Sequence, residues 1–145
     1  MLAVAPTGPP TIRTGVLIRD VYRKQDVLFV RYSLENRSSQ TLRAGRPTVV
    51  SLNGLKFGQS LWSYQNSQLG AEYTARLKTA GVPTPVKLIQ CEPGIAEVSP
   101  GQAQMGLITL QLPAANLQAT KAQPIVLQIL FPVDRLGNLT ATLVL

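Results

Sequence analysis

Apolar and polar residues alternate along most of this chain, and a period of two marks a strand with one buried face. Val27–Glu35 shows it best: Leu28, Val30, Tyr32 and Leu34 fall on one face, with Arg31, Ser33 and Glu35 on the other. Gly15–Lys24 precedes it across Gln25 and Asp26, a hairpin spacing. Residues 47–52 read as a short strand closed by Asn53 and Gly54, the strongest hairpin signal present, and answered by residues 55–57. Strand patterns resume at 86–91, 95–98, 105–112, 125–131 and 139–145. Ile108, Leu110 and Leu112 share a face with Gly106, and Ile125, Leu127, Ile129 and Phe131 share another. Pro, Gly, Asn and Ser mark turns at 36–40, 92–94, 99–102 and 134–138.

Two segments break the pattern. In residues 1–14, Pro6, Pro9 and Pro10 with Gly8 exclude a helix and predict an extended arm, held by its own domain or by a neighbouring subunit. Residues 58–84 are irregular: 60–68 are polar around Trp62 and Tyr64. In 69–79 the four-residue spacing of Leu69, Tyr73 and Leu77 allows one short helix. The whole predicts an all-β chain, an antiparallel β-sandwich of about eight strands, immunoglobulin-like or jelly-roll-like. It would carry an extended N-terminal arm (1–14) and one irregular insertion (58–84) within a single domain over 15–145.

Composition sharpens this picture at the surface. Of 145 residues 45% are hydrophobic, which is ordinary, but only 14% are charged, against a usual share of about a quarter. Gln, Asn, Ser and Thr stand where charges would be, and neutral polar groups cost less to bury against a partner. The net charge is +7. Its basic excess lies early, in Arg13, Arg19, Arg23, Lys24, Arg31, Arg37, Arg43 and Arg46 against Asp20, Asp26 and Glu35. Such a half could meet nucleic acid, an anionic membrane or an acidic protein. With no dense Lys/Arg run and no Gly-aromatic RNA-binding signature, solvated strand faces are expected and nucleic acid is not. An acidic protein partner stays open.

Reactive groups are scarce. There is no histidine, a single cysteine (Cys91) and seven carboxylates. One cysteine excludes an internal disulfide framework and a multi-thiolate metal site. Cys91 ends an apolar run, the place of a packed, inert thiol. The carboxylates are scattered; Glu92 and Glu97 flank a turn, and no Asp-rich calcium loop exists. Residues 53–60 place their glycines wrongly for a phosphate loop. No catalytic residue, cofactor or metal is therefore expected, and the chain is read as not an enzyme. Trp62, Tyr64 and Tyr73 could form an interface cluster or close one end of the core. The N-terminus lacks the basic and long apolar regions of a signal peptide, and no apolar run is long enough to span a bilayer. That predicts synthesis in a cytoplasm. The sequons at Asn36 and Asn138 matter only in a glycosylating secretory pathway.

The string from Val30 to Leu42, the Asn53-Gly54 pair, and Pro100-Gly101-Gln102 followed by the strand from Gly106 to Leu110 resemble, in order, the strands and turns of bacterial immunoglobulin-like domains. The resemblance implies a fold and no activity. The paired cysteines of antibody domains are missing. In organisation, an all-β domain with a Pro-rich arm and few charges is similar to the decoration (cement) proteins of tailed-phage capsids. That resemblance implies a non-catalytic virion protein that stabilises a capsid, contacts protein and forms a homo-oligomer, a trimer in that family. The residues expected to touch the partner are Pro6, Pro9, Pro10, Arg13, Arg19, Arg23, Trp62 and Tyr64. The alternative is an accessory or adhesion module of a bacterial cell envelope or extracellular space.

Overall fold

The computed structural model describes residues 2–3, 5–7, 14–113, 124–134 and 137–145, the first five of these by backbone alone. Two antiparallel sheets face each other. The front sheet pairs β3 (Gly15–Lys24), β4 (Val27–Glu35), β12 (Ala103–Gln111) and β10 (Thr84–Glu92) in that order, with β1 (Leu2–Ala3) on the outer edge of β3. The back sheet runs β6 (Thr48–Ser51), β13 (Val126–Val133), β14 (Gly137–Val144), β8 (Ser67–Leu69) and β2 (Ala5–Thr7). One strand belongs to both: Thr84, Pro85 and Val86 of β10 pair with β6, and Lys87 to Glu92 pair with β12. A small ladder of β5 (Leu42–Ala44) and β11 (Ala96–Val98) joins β13 at Val133.

Alternation places the core as expected. Val16, Ile18 and Val21 of β3, Leu28 to Leu34 at every second position of β4, and Ile108 and Leu110 of β12 are buried facing Leu127, Ile129, Phe131, Ala141 and Leu143. Each such side chain contributes about 1.5–3 kcal/mol by leaving water. Tyr32 sits at the centre. Its register partner across the ladder is Gly106, and a Cβ on Gly106 would lie 2.3 Å from Tyr32 Cζ. The ring occupies the space that the missing side chain leaves. It meets Phe131 of the opposite sheet at 4.9 Å between centroids.

The far edge is closed by a side chain. Oε1 of Gln68 accepts from the backbone N–H of Ile18 (2.7 Å), and its Nε2 donates to the carbonyl of Val16 (2.8 Å). One amide thus supplies β3 with the donor and acceptor that a neighbouring strand would offer. Beside this seam the N-terminal backbone divides between the sheets. Leu2–Ala3 pair antiparallel with Val21 and Asp20, and Ala5–Thr7 pair parallel with Ser67–Leu69. These five residues of the arm are held by the chain's own domain.

Asn36, fully buried, pins the turn after β4. Its Nδ2 donates to the carbonyls of Gln40 and Val98, and its Oδ1 accepts from the N–H and hydroxyl of Ser38. Its own N–H and carbonyl bond Gln102 and Gly101. Every polar group of this buried residue is satisfied. The amide nitrogen that a glycan would need is used twice, whereas Asn138, in the other sequon, is exposed.

Two expectations are corrected. Asn53 and Gly54 do not close a hairpin between 47–52 and 55–57: β7 (Leu55–Lys56) pairs with β9 (Lys78–Thr79) instead. The cause is that both edges of β6 are taken, by β10 and β13. Gly54 still turns at φ +60, and Asn53 Nδ2 donates to the carbonyl of Val82 and to Thr84 Oγ1. The insertion also holds less helix than 69–79 allowed. Leu69 ends β8, a 3-10 turn spans Leu61–Tyr64, and α1 covers only Ala71–Arg76. Gly70 gives α1 no side-chain cap, and Leu77 is already extended. The insertion nonetheless builds a second small core on the outside of the back sheet. Leu52, Leu55, Leu61 and Leu69 pack there on Val126 and Val144, with Phe57, Tyr64, Tyr73 and Leu77 around them.

Gly106→Ala should lower stability by about 1–3 kcal/mol, because the Tyr32 ring has nowhere to retreat within a packed core. Gly58→Ala, whose Cβ would meet nothing within 4 Å, should stay within about 0.5 kcal/mol of the parent. Urea unfolding of both variants decides this, and equal midpoints would show that the ring is not seated on Gly106.

Candidate functional site: an uncovered sheet face

The two sheets differ in what lies outside them. The insertion packs on the outer side of the back sheet, while the outer side of the front sheet is open and sets exposed apolar side chains among charged and polar ones. Register arranges that side in rows, since residues directly paired across a ladder share a face. One row is Tyr22–Phe29–Thr109–Gln90, the next Asp20–Arg31–Leu107–Glu92, and the next Leu17–Ser33–Met105. At one end lies Lys24–Val27–Gln111–Lys87. Tyr22 (45% exposed), Met105 (48%), Leu107 (39%) and Ile89 (45%) stand in solvent on adjoining strands, with Leu17, Val27 and Phe29 partly exposed among them.

Two bulges shape this face. The register slips at Arg19 in β3 and at Ile89 in β10, so each strand gains one residue that the simple alternation would not place there. Arg19 and Asp20 consequently serve the same face. Asp20 accepts two bonds from Arg31 Nε, at 2.9 and 3.0 Å. Glu35 lies between Arg19 (3.5 Å) and Arg37 (3.6 Å). Ser33, between Leu17 and Met105, is buried, and its hydroxyl has no hydrogen-bond partner among the described residues. An apolar layer therefore lies over a polar atom on the outside of the molecule. Tyr22 and Phe29 pack ring to ring at 5.9 Å.

Of the residues expected to touch a partner, the described ones lie on different elements. Arg19 is on the open face; Arg23, at the end of β3, donates through Nε to the carbonyl of Gln25. Pro6 lies in β2 by its backbone, and Pro9, Pro10 and Arg13 lie outside the described residues. Trp62 is 45% exposed on the 3-10 turn of the insertion, remote from the front sheet in the pairing order. Tyr64 belongs to the second core: it packs on Phe57 and Tyr73 at 5.8 and 5.5 Å and donates to Gln59 Oε1. Among the described side chains, Arg19 and Arg23 of β3 are not gathered with Trp62 and Tyr64 of the insertion. The apolar front face was legible in one place. In residues 105–110 Met105 and Leu107 are apolar at the positions where alternation demands polar ones.

Reactive groups are not gathered. No cluster of three or more Cys, Asp or Glu able to hold a metal occurs among the described residues. A depression of about 310 Å³ between Arg43, Gly45, Ile95, Pro132, Val133 and Asp134 is shallow and open, with no nucleophile and base side by side. Cys91 is buried, with Sγ 3.8 Å from the Tyr32 hydroxyl and 3.5 Å from the carbonyl of Pro93. Burial pushes the Cys91 thiol above its usual range, and Arg46 and Tyr32 offset that only in part. Burial, reinforced by Cys91, also pushes the Tyr32 phenol up. No helix among the described residues is long and apolar enough to cross a membrane.

No protein-family model matches the chain, and no curated protein does either. Among solved structures it is similar to the cupredoxin domain of amoB from Nitrosocaldus yellowstonii, with 14% identity and a TM-score of 0.41 over 84% of this chain. The chain spans 57% of the length of that one. It is also similar to the ASH/PapD-like domain of human CEP192 (PapD-like domain 7), with 15% identity and a TM-score of 0.33. That match covers 99% of this chain and 89% of the other. Likeness at this level transfers no ligand, partner or activity. The β-sandwich rests on the strand pairing itself.

Both raised groups are neutral in the fold and ionise more readily once the chain unfolds. Their contribution to stability is therefore full below the unfolded values of about 8.5 for Cys and 10 for Tyr, and is lost as pH rises toward the folded values. Urea midpoints should hold level through neutral pH and fall above about pH 8.5–9. Cys91→Ala should move the onset of that fall to higher pH. An unchanged onset would mean that Cys91 ionises in the fold as freely as in water.

Proposed function

We propose that this chain is a non-catalytic structural protein held in a larger protein assembly by the open face of its front sheet. The observation that carries the reading is the asymmetry of the two outer faces. One is covered by a second core of the chain's own making, and the other leaves Tyr22, Ile89, Met105 and Leu107 in water. Contiguous exposed apolar surface on a soluble domain marks an interaction site. The low charge of the chain supports the same reading, because a surface of neutral polar groups is cheaper to cover. Decoration of a capsid shell is the form we favour, through the organisation the chain shares with capsid decoration proteins. An accessory module of a bacterial envelope is the alternative, and both require a protein partner.

Gently extracted from its source, the chain should sediment well above its own 15.7 kDa, with capsid particles in a density gradient if it decorates a shell and with envelope fractions otherwise. Met105→Ser with Leu107→Ser should release it to the monomer position and shift its melting temperature by no more than about 2–4 °C, since both side chains are exposed. A wild-type chain that sediments as a free monomer in its own extracts overturns the reading.

A further inference from the structure

We infer that the partner seated on this face is an acidic protein surface with an apolar ridge, and not a second copy of the chain; this rests on the assembly reading above. The argument is charge complementarity around the apolar rows. Asp20 is held by Arg31, and Glu35 is shared between Arg19 and Arg37, so the acidic groups at one end are already compensated. At the other end Lys24 and Lys87 close their row from both sides, and among the described residues neither makes an ion pair. Arg23 pairs with buried Leu28 and so belongs to the other side of the sheet, and Asp26 at the turn accepts from Gln111. Glu92 is the remaining carboxylate of the face and accepts from the Gln90 amide.

The balance on the face is thus basic, in a chain of net charge +7. Two copies placed face to face with these ends together would bring the cations well inside a screening length of about 8–10 Å. The apolar rows would gain from burial while the rim repelled. An acidic partner gains from both, with the rim charges mainly quickening and orienting the encounter. The aromatic and Arg side chains in the rows Tyr22–Phe29 and Arg31–Leu107 are of the kinds that dominate interface energies.

The test uses the native complex, with the chain exchanged for variants and its dissociation constant measured at about 50 and 300 mM salt. Higher salt should weaken the wild type by about tenfold. Lys24→Glu with Lys87→Glu should weaken it by about tenfold at low salt and flatten the salt dependence. Met105→Ser with Leu107→Ser should weaken it by a similar factor at both salts and leave the salt slope alone. Circular dichroism melts of both double variants report folding separately. If the serine pair breaks the complex but charge reversal leaves it intact or tightens it, the docking face stands and the acidic partner falls. If neither pair changes binding, this face is not the interface and both readings fall. Wild-type binding to vesicles of phosphatidylglycerol and phosphatidylcholine, or to duplex DNA, with the same dependence on Leu107 and Lys87 would assign the face to that polyanion and overturn the proposal.

Discussion

The ring of Tyr32 lying on Gly106 is the contact on which the sandwich is organised. Tyr32 comes from β4, Gly106 from the strand beside it, Cys91 from the strand beyond, and Phe131 from the opposite sheet. One side chain therefore sets the spacing of three strands and the distance between the layers. A tyrosine fits only because its neighbour lacks a Cβ, and the glycine is tolerated mid-strand only because the ring covers its backbone. The same placement explains why the single cysteine is inert. Burial disfavours its thiolate, and the Tyr32 hydroxyl offsets that only in part.

Closing a two-sheet structure leaves edges, and the chain deals with them unequally. At one edge β10 passes from the back sheet to the front, so no edge exists there. At the other, β3 and β8 do not pair by their backbones, and the Gln68 amide spans them with one donor and one acceptor. The N-terminal backbone then lies along what remains. An amide costs little to desolvate compared with a charge and can satisfy both backbone groups at once. That is the physical case for a neutral residue at a site where a surface strand would ordinarily carry a lysine.

Local patterning made part of this legible. The bounds of β3 and β4 follow directly from alternation and the two-residue link between them, because a hairpin is specified by neighbours in the chain. The pairing of β7 was misread for the opposite reason. Asn53 and Gly54 do form a turn, but the partner of the strand after it was decided by β10 and β13, which arrive from far away in the sequence and occupy both edges of β6. The second core was equally hidden: Phe57, Tyr64 and Tyr73 carry no shared period, and only the fold brings them over Val126. The bulges at Arg19 and Ile89 show only as a break in phase, with Val16 and Ile18 followed by Val21 and with Val86 and Leu88 followed by Cys91. The docking residues expected from the arm and the insertion were chosen for residue type, whereas the open face is a property of register.

An apolar sheet face in water is a cost that folding alone does not require, and the chain shows that it can cover one. Twenty-odd residues of insertion bury the outside of the back sheet under leucines and aromatics. Nothing comparable among the described residues lies over Tyr22, Met105 and Leu107, which keep their exposure although Ser33 on the same face is sealed. Substituting threonine or glutamine at these positions would keep the strands and lower the hazard of aggregation, as Thr109 and Gln111 on the same strand already do. The surrounding rim meets that hazard in another way. Lys24 and Lys87 at the two ends of one row make no ion pair among the described residues, and on the proposed reading they would disfavour a second copy while favouring a surface of opposite sign. On the proposed reading, exposure of the apolar side chains and the basic sign of the rim act together: the first would supply the affinity, and the second would select the partner.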